Sequence, residues 1–559
     1  MSKGDAEPFR SVRLVTLLST LEKAGIPFNL RAAGDLEKIE VTGVAYDSRR
    51  LSRGNAFFAI RGERTDGHLY IKDVLNRGAR AIFVQHFDPD WLGVDRERGF
   101  CVIEVPSTRK AMGIAAAAFY GDPSKNGLAL IGVTGTNGKT TTASLLTSIV
   151  EAGGVRCGLI GTVEVRIGDR RLPSVRTTPE APDLQKLLAE MLESGLKACA
   201  IEVSSHALAL ERVRGCSFKT AVFTNLSQDH LDFHHTMDSY FEAKASLFSK
   251  EYTASAAVNV SDEWGKRLLQ RLEVPWVSFG KKEDGADVYA EDVVFGASST
   301  SFVLHCKARA DEVERGRAGD TKGAKNGGVS SGLLRSAGSH DKARVEIPLA
   351  GTFAVWNALA AAACATAMGI EFEHVLAGLE AAPPVPGRFE IVQKGQDFLA
   401  VVDYAHTPES VKAVLRSARA LKGSETAKVI VVVGCGGDRD RAKRPLMGRA
   451  AVEEADFAVF TSDNPRSEDP QSILEQIVAG AEQAERPVGR FMTELDRRKA
   501  IHTAISMAGP GDVVVIAGKG HETGQIFKDE TVPFDDREVV REALHALRGR
   551  QARPGSAQW

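Results

Sequence analysis

Short apolar runs alternate with longer amphipathic stretches along most of the chain, and this pattern predicts alternating strands and helices. In the first part of the chain, apolar runs predict strands at 56–60, 81–84 and 102–105. A helix follows and ends near Tyr120, and the turn residues at 121–124 mark a boundary. We therefore place a first domain at residues 1–121.

The second part contains the apolar run 128–131 and strands predicted at 198–203 and 220–224. Apolar strands separated by helices favour a largely parallel sheet with helices on both faces. The segment 308–344 is rich in Gly, Ser, Lys and Arg and poor in aromatic residues, so we interpret it as a mobile surface insertion in a β-rich stretch. We place this second domain at 122–383.

A third part begins near the proline-rich segment 383–386 and again alternates strands with helices. Its predicted strands lie at 399–402, 429–433, 457–460 and 513–517. This pattern predicts a doubly wound α/β domain over 384–559, with a disordered tail after Arg550. The chain is thus predicted to be an α/β protein of three domains, with a P-loop-like parallel sheet in the centre and a Rossmann-like domain at the C-terminus.

The composition excludes several classes of protein. A chain of 559 residues is too long for one core, and 43% hydrophobic with 26% charged residues is ordinary for a soluble globular protein. The net charge of -2 gives no electrostatic reason to expect a nucleic acid or an anionic membrane as a partner. The seven cysteines are scattered and the N-terminus lacks the features of a signal peptide, so we expect reduced thiols and a cytoplasmic protein. The apolar segment 358–370 is shorter than the ~20 residues of a membrane span and predicts a buried helix.

A glycine-rich segment follows the predicted strand 128–131 and precedes a helix-like run, and its sequence is Gly135-Thr136-Asn137-Gly138-Lys139-Thr140-Thr141. This is the context of a phosphate-binding loop, because glycines let backbone N–H groups approach phosphate oxygens at a helix N-terminus. The lysine can reach the terminal phosphates, and the first threonine hydroxyl can ligate Mg²⁺. The general P-loop pattern has a glycine where Val133 stands, so the signature here is a narrower one. A turn that binds no ligand would not need this lysine and threonine.

Three residues stand where metal chemistry is plausible. Glu202 ends an apolar strand, where a carboxylate faces the ligand crevice of an open α/β sheet, so it is either a Mg²⁺ ligand or a surface acid in a salt bridge. His230 follows another strand and is either a metal ligand or a capping histidine. Lys244 lies on a predicted amphipathic helix, where the residue alone indicates a solvated lysine.

A serine and a histidine occur together at Ser204-Ser205-His206, but Val203-Ser204-Ser205 is not the Gly-x-Ser-x-Gly of a nucleophile elbow. A hydrolase is therefore disfavoured. His206 is either a general base or a hydrogen-bonded structural histidine.

The chain resembles the Mur ligases, which are ATP-dependent amide ligases that build the peptide of the cell-wall precursor. The resemblance spans nearly the whole chain, from Asp47-Ser48-Arg49 to Gly518-Lys519-Gly520-His521-Glu522. Between these segments it rests on the motifs at 135–141, 202–206, 225–230, 240–245, 357–361, 387–390, 403–408 and 436–440.

The resemblance implies roles for the central residues. Lys244 corresponds to a carbamylated lysine, and its carbamate would bind Mg²⁺ together with Thr140, Glu202 and His230. A desolvated site near a metal favours the neutral amine that captures CO₂. The positions that match nucleotide contacts, besides the loop, are Asn357, Arg388 and Asp403. Ala354 stands where the family often has Asn, so one nucleotide contact is absent or replaced.

The motif Asp463-Asn464-Pro465-Arg466 resembles that of the family members that add meso-diaminopimelate. By itself it is a turn with an arginine that could pair with a surface acid. The distal carboxylate of diaminopimelate, which L-lysine lacks, suits a bidentate guanidinium. Arg439 matches a second carboxylate-binding position, Asp463 and Glu522 can receive ammonium groups, and Gly518 gives close access to the backbone.

The resemblance places UDP-MurNAc-L-Ala-D-Glu on the first domain and beside the central one. Ser48 and the loop Glu63-Arg64-Thr65 resemble its uridine and pyrophosphate contacts. The positions that match contacts near its reacting end are Thr177, Thr178, Ser204 and Arg212. Leu210 departs from a glutamine common in relatives.

The implied reaction uses ATP to convert the D-Glu γ-carboxylate into an acyl phosphate, which the diamino acid then attacks, with closure of the C-terminal domain before chemistry. We expect a monomer with no nucleic-acid or membrane partner. The alternatives are a lysine-adding ligase of the family, a folylpolyglutamate synthetase-like ligase, and a non-enzymatic ATP-binding regulator. A P-loop motor is disfavoured because the charge balance offers no support for a nucleic-acid track.

Overall fold

The computed structural model describes residues 10–33, 35–62, 65–93, 99–296, 298–307, 340–485 and 489–551. Its contacts divide the chain into two units. The first comprises residues 1–132, 155–219 and 250–254, and the second comprises residues 133–154, 220–249 and 255–559.

The first unit begins with a five-stranded sheet. Its strands, in spatial order, are Asn29–Ala33, Cys101–Glu104, Ala81–Val84, Ala56–Phe58 and Val44–Ala45. All neighbours in this sheet are parallel except the first pair, and apolar clusters cover both faces. A short pair, Val12–Arg13 with Glu40–Val41, precedes it. The helices of this region are Leu14–Lys23, Ile71–Asn76 and Thr108–Phe119, with 3-10 turns at Leu36–Lys38, Ser48–Arg50, Gly67–Tyr70 and Pro89–Gly93. The predicted strands and the helix ending near Tyr120 are confirmed.

The rest of the first unit adds four strands in the order Arg170–Pro173, Glu164–Ile167, Cys157–Ile160 and Ala198–Glu202. The last pair is parallel and the others are antiparallel. Helices Ala181–Glu193 and Ser205–Ala209 flank the strand that ends at Glu202. The strands Ala129–Thr134 and Phe218–Phe223 begin in the first unit and end in the second.

The second unit continues from Phe218–Phe223 through five strands: Ala256–Asn259, Trp276–Phe279, Val288–Phe295, Thr300–Lys307 and His340–Ile347. The pairs are parallel up to Val288–Phe295 and antiparallel beyond it. The helices of this part are Lys139–Ala152, Leu231–His234, Met237–Ala245, Glu263–Leu269, Thr352–Ala367 and Phe372–Glu380, with 3-10 turns at Ser246–Phe248 and Lys282–Asp284. Thr352–Ala367 is largely buried, which confirms the prediction of a buried helix here, but the helix begins at 352 and ends at 367 instead of spanning 358–370.

One boundary of the predicted insertion is wrong. Residues 340–344 belong to the strand His340–Ile347, in which His340 pairs with Lys307 and Arg344 with Val303. The charged side chains of this edge strand alternate with apolar ones, and composition alone could not separate them from the insertion. Residues 308–339 lie outside the described residues.

The last part of the second unit is a six-stranded sheet. Its order is Glu390–Ile391, Leu399–Asp403, Val513–Ala517, Val429–Val433, Phe457–Phe460 and Arg490–Thr493. All neighbours are parallel except the first pair, and apolar clusters lie on both faces. The helices are Pro408–Ala420, Lys443–Glu454, Pro470–Glu482, Arg497–Met507 and Asp536–Gln551, and Gly524–Phe527 pairs with Glu530–Pro533 as a hairpin.

The predicted α/β class and the doubly wound C-terminal domain are confirmed. The domain limits 1–121, 122–383 and 384–559 stay predictions. The tail predicted after Arg550 lies outside the described residues from 552 onward. Among the described residues, the helices are all too short or too polar to cross a membrane. All seven cysteines are buried, and none of them forms a disulfide.

Candidate active site

The glycine-rich segment forms a turn between the strand Ala129–Thr134 and the helix Lys139–Ala152, as predicted. Gly138 is the N-cap of this helix and has a φ of 88°, a left-handed conformation that favours glycine. A Cβ at Gly138 would lie 2.3 Å from Asn357 Oδ1, and one at Gly135 would lie 1.9 Å from Thr224 Oγ1. Both positions therefore require glycine on steric grounds.

Two lysines converge on the carbonyl groups of this loop. Lys139 Nζ donates to Gly135 O at 2.9 Å and to Thr136 O at 2.8 Å. Lys244 Nζ donates to the same Gly135 O at 2.8 Å. The amines of Lys139 and Lys244 thus both lie beside the backbone of the loop.

Lys244 is 1% exposed, so the interpretation as a solvated lysine is wrong. Its Nζ lies 4.7 Å from the centroid of the Tyr240 ring. Burial, together with the charge of Lys139, lowers the pKa of the Lys244 amine well below its ordinary value. This environment favours the neutral form of the Lys244 amine, which is the nucleophilic form.

The residues predicted to contact the nucleotide also meet at this loop. Asn357 Oδ1 accepts from Thr142 Oγ1 at 3.4 Å, and an Arg388 nitrogen donates to Thr140 Oγ1 at 3.0 Å. A cavity of about 530 Å³ opens beside them, and its walls include Thr141, Phe353, Ala354, Pro384, Val385, Pro386 and Arg388. Ala354 contributes an apolar wall, so it offers no polar contact in place of an asparagine amide.

Asp403 is buried and braces the segment that carries Arg388. Its carboxylate accepts from Phe389 N and from Ala405 N, both at 2.7 Å. Burial raises the pKa of Asp403 above its ordinary value, in spite of these bonds and of the Arg388 charge. The structure thus gives Asp403 a positioning role, while its predicted nucleotide contact stays a prediction.

A buried carboxylate that the sequence analysis passed over, Asp229, lies beside His230. Its Oδ1 is 3.4 Å from Lys443 Nζ, and its Oδ2 is 3.5 Å from His230 Nε2 and 3.6 Å from His406 Nε2. Burial alone would raise the pKa of Asp229, but His406, Lys443 and His230 hold it well below its ordinary value. The sequence did contain a signal for this cluster, because Asp229 and His406 lie within the family motifs at 225–230 and 403–408.

Glu202 belongs to the first unit and is 1% exposed, so the interpretation as a surface acid is wrong. Its carboxylate accepts from Thr162 N at 2.7 Å and from Thr162 Oγ1 at 2.9 Å. The Glu202 backbone carbonyl accepts from Thr178 Oγ1 at 2.7 Å. A buried carboxylate held this way can supply the oxygen ligand that Mg²⁺ prefers.

The residues predicted to bind the acceptor near its reacting end lie around Glu202. Thr177 Oγ1 is 3.0 Å from Thr162 Oγ1, and Thr178 O accepts from Arg212 at 3.2 Å. Ser204 Oγ accepts from Ala207 N at 3.2 Å and so caps the helix Ser205–Ala209.

Arg212 also contacts Glu180, a buried acid that the sequence analysis did not identify. The carboxylate oxygens of Glu180 form ion pairs with three guanidinium groups. The nitrogen–oxygen distances are 3.4, 2.6 and 2.9 Å for Arg109, Arg176 and Arg212, respectively. Three guanidinium groups around one carboxylate leave excess positive charge beside the predicted acceptor site.

On the first sheet, Ser48 starts a 3-10 turn, and its carbonyl accepts from Arg77 at 3.3 Å. Thr65 Oγ1 lies 3.2 Å from the Tyr70 hydroxyl. Glu63 and Arg64, the other predicted contacts of the nucleotide-sugar, lie outside the described residues.

The predicted diaminopimelate residues come together at the carboxyl ends of Phe457–Phe460 and Val513–Ala517. Asn464 Nδ2 donates to Glu522 Oε2 at 2.8 Å, and a Cβ at Gly518 would lie 2.6 Å from Asp463 Oδ2. Asp463 is 8% exposed, and among the described residues its carboxylate accepts no hydrogen bond and forms no ion pair.

Two arginines lie beside this acid-lined segment. Arg466 follows Pro465 with φ of 53° and donates to Gly437 O at 2.7 Å. A Cβ built on Gly436 would lie 2.8 Å from Arg466 NH1 and 3.7 Å from Arg439 Cγ, so both side chains approach one point. The site therefore combines an unpaired carboxylate with guanidinium groups, which suits a ligand that carries both an ammonium and a carboxylate.

Three family models match the chain in sequence order. They are the Mur ligase family, catalytic domain, over residues 40–120, the Mur ligase middle domain over 133–365, and the Mur ligase, glutamate ligase domain over 387–520. The chain also resembles curated proteins named UDP-N-acetylmuramoyl-L-alanyl-D-glutamate--2,6-diaminopimelate ligase. The one from Geobacillus kaustophilus is 42% identical over 95% of this chain and 99% of its own length. The one from Streptomyces avermitilis is 43% identical over 95% and 98%. The chain belongs to the Mur ligase family.

Solved structures agree with this assignment. A structure titled as UDP-N-acetylmuramoyl-L-alanyl-D-glutamate--2,6-diaminopimelate ligase has a TM-score of 0.61 and 31% identity, and the match covers 93% of this chain and 97% of that one. MurF from Acinetobacter baumannii has a TM-score of 0.60 over 97% and 99% but only 20% identity, and so shows the shared fold. The predicted family and the predicted class of enzyme, a ligase, are confirmed.

Proposed function

We propose that this chain is the ATP-dependent ligase that adds meso-2,6-diaminopimelate to the D-Glu of UDP-MurNAc-L-Ala-D-Glu in the synthesis of peptidoglycan precursors, acting as a monomer in the cytoplasm. The observation that carries the proposal is the loop in which the unpaired carboxylate of Asp463 and the guanidinium of Arg466 lie three residues apart. Diaminopimelate ends in a group with both charges, whereas L-lysine ends in an ammonium alone. The names of the relatives agree with this choice.

The phosphate loop supports the first step of this reaction. Lys139 and the loop amides offset the charge of the γ-phosphate while an oxygen of the D-Glu γ-carboxylate attacks its phosphorus. The bond to the β-phosphate oxygen breaks, ADP leaves, and an acyl phosphate forms. The amine of diaminopimelate then attacks the acyl carbon and loses a proton. The bond between the acyl carbon and the phosphate oxygen breaks, so that an amide and inorganic phosphate form. The contribution of the protein is mainly positioning and electrostatic stabilisation.

Mg²⁺ would neutralise phosphate charge during this reaction. The residues that we assign to it are Thr140, Glu202, His230 and the carbamate of Lys244. The donor chemistry fits, because a hydroxyl, a buried carboxylate and a carbamate are all oxygen ligands of the kind that Mg²⁺ prefers.

Carbamylation of Lys244 is the finer part of this proposal. A neutral amine attacks the carbon of CO₂ and loses a proton, so that a lysine becomes an anion. The burial of Lys244 and its lowered pKa support this, because a protonated ammonium has no electron pair to donate. In protein equilibrated with isotope-labelled bicarbonate, we expect a carbamate carbon signal by NMR that is absent from Lys244→Met. A signal of equal intensity in both proteins would contradict the assignment.

The substrate test is phosphate release from ATP with UDP-MurNAc-L-Ala-D-Glu and either meso-diaminopimelate or L-lysine. We expect turnover with diaminopimelate and about 100-fold lower kcat/KM with lysine, because a site built for a carboxylate leaves its guanidinium unpaired with lysine. Preference for lysine would overturn the interpretation of Arg466 but keep the family.

The same assay on two variants tests Arg466 directly. Arg466→Lys keeps the positive charge but cannot form two parallel hydrogen bonds, so it should lose part of the discrimination, and Arg466→Ala should lose most of it. Discrimination that is unchanged in Arg466→Ala would show that another group recognises the distal carboxylate.

A further inference from the structure

Lys519 is a fully buried lysine between the two loops of the proposed diaminopimelate site. Its Nζ donates to Asn464 Oδ1 and to Glu522 Oε2, both at 2.9 Å. Asn464 Nδ2 donates to the same Glu522 oxygen at 2.8 Å, so the three side chains close a triangle of hydrogen bonds. The mechanism described above does not use Lys519.

We propose that Lys519 is a positioning residue that fixes the loop 463–466 against the loop 518–522 and so sets the spacing of the groups that hold diaminopimelate. This inference rests on the proposed function. The contacts of Lys519 also distinguish the two acids of the site, Glu522 and Asp463. Glu522 is paired with Lys519, whereas the carboxylate of Asp463 accepts no hydrogen bond and forms no ion pair among the described residues. Within this part of the chain, the Asp463 carboxylate is therefore free of such partners and available to neutralise a substrate ammonium, while Glu522 has only its second oxygen to offer.

The backbone around Asn464 shows why its position matters. Its Oδ1 also accepts from Ile526 N at 3.0 Å, and Arg466 N donates to Ile526 O at 3.0 Å. Gln525 Nε2 donates to Asp463 O at 2.7 Å. The loop that presents Asp463 and Arg466 is thus aligned with the hairpin strand Gly524–Phe527 through Asn464, and Lys519 joins this assembly to Glu522.

The charge of Lys519 is matched to its surroundings. A buried ammonium requires a paired carboxylate and further hydrogen-bond acceptors, and Glu522 and Asn464 supply both. The Glu522 side chain is 31% exposed, so removal of Lys519 leaves an acid that water can still solvate. Loss of Lys519 should therefore loosen the two loops more than it unfolds the domain.

The experiment measures steady-state kinetics of Lys519→Met with all three substrates varied in turn. We expect the KM for meso-diaminopimelate to rise about 10-fold or more, since misplacement of a binding group by about 1 Å has effects of this size or larger. The KM values for ATP and for UDP-MurNAc-L-Ala-D-Glu should stay within about twofold, because they report on other sites. The control is Lys499→Met, an exposed lysine of the same domain, which should leave all three KM values unchanged.

A role confined to stability predicts a different result. Equal changes in all three KM values, or an unchanged KM for diaminopimelate in a folded variant, would overturn the proposal. If wild-type protein does not turn over diaminopimelate at all, the proposed function fails instead, so the two failures are distinguishable.

A double-mutant cycle keeps the test decisive if Lys519→Met folds poorly. Lys519→Gln, Glu522→Gln and the double variant remove the two paired charges singly and together. The double variant has no unpaired charge. We expect its KM for diaminopimelate to rise by less than the product of the two single effects, because both residues belong to one hydrogen-bond network. Strictly multiplicative effects would contradict the coupling of Lys519 to Glu522.

Discussion

Arg497 and Asp536 form a bidentate ion pair in which both side chains are fully buried, with nitrogen–oxygen distances of 2.8 and 2.7 Å. Arg497 also donates to Ala517 O at 2.9 Å and to Ser462 O at 3.4 Å. These carbonyls immediately precede Gly518 and Asp463. The pair thus joins the first turns of two helices to the two chain segments that carry the proposed diaminopimelate site.

Removal of one partner of this pair should destabilise the protein strongly. We expect Asp536→Asn to lower the free energy of unfolding of the C-terminal domain by about 3–5 kcal/mol, because the buried guanidinium loses its counter-charge. Chemical denaturation followed by circular dichroism measures this. The control is Glu542→Gln, whose partner Arg498 lies on the same helix as Arg497 but in an exposed pair, and its effect should be much smaller. Similar losses of stability in both variants would contradict the argument, because they would show that the burial of the Arg497–Asp536 pair makes no difference.

Asp229 should make stability depend on pH on the acid side. Its folded-state pKa is lowered, so its contribution is fully present above the unfolded pKa of about 3.9 and is lost as the pH falls through the folded value. Asp229→Asn should therefore be less stable than wild type at pH about 7, and the difference should shrink as the pH falls below about 4. Thermal midpoints across this range test the prediction. Asp238→Asn, which changes an acid with a 69% exposed side chain, should show little of this trend, and a difference for Asp229→Asn that is constant with pH would contradict it.

The phosphate loop should reject a methyl group at Gly138. Gly138→Ala would place Cβ 2.3 Å from Asn357 Oδ1, so the loop or the asparagine must move. We expect a rise of about 10-fold or more in the KM for ATP, measured by phosphate release. Gly154→Ala is the matched control, because Gly154 also has a positive φ, of 76°, but has no atom within 4 Å of the added Cβ. Gly154→Ala should cost some stability and leave the KM for ATP unchanged, and equal effects on this KM would contradict the steric argument.

Residues 308–339 should be dispensable for activity, because their composition is typical of a segment that cannot form a core. Lys307 and His340 are direct partners on antiparallel strands, so a two-residue Asn-Gly turn can replace the segment. We expect this deletion to retain phosphate release and the thermal midpoint of the full chain. A deletion of 308–344 should be less stable, since it removes the paired residues 340–344. Loss of activity in the shorter deletion, with the fold intact, would contradict the prediction.

Local patterns along the chain were sufficient to predict the fold class and most of the strands. The buried strands Val429–Val433 and Val513–Ala517 are continuous apolar runs. Parallel strands that are covered on both faces have this pattern, so they can be recognised without knowing which strands lie beside them. The phosphate loop was equally visible, because the conformations at Gly135 and Gly138 and the chemistry of Lys139 are local properties of a few adjacent residues. The end of the insertion before residue 340 could not be predicted in this way. His340 belongs to a strand because it pairs with Lys307 on the neighbouring strand, and a local pattern does not show that pairing.

The environments of single side chains, by contrast, depend on contacts made in the folded protein. The helix around Lys244 predicts a solvated lysine, yet packing buries the amine on Gly135 O and lowers its pKa. Asp229 with Lys443, and Lys519 with Asn464, are partners separated by 214 and 55 positions in the chain. The free energy of a buried charge depends on which groups surround it in space, and local sequence patterns do not contain that information.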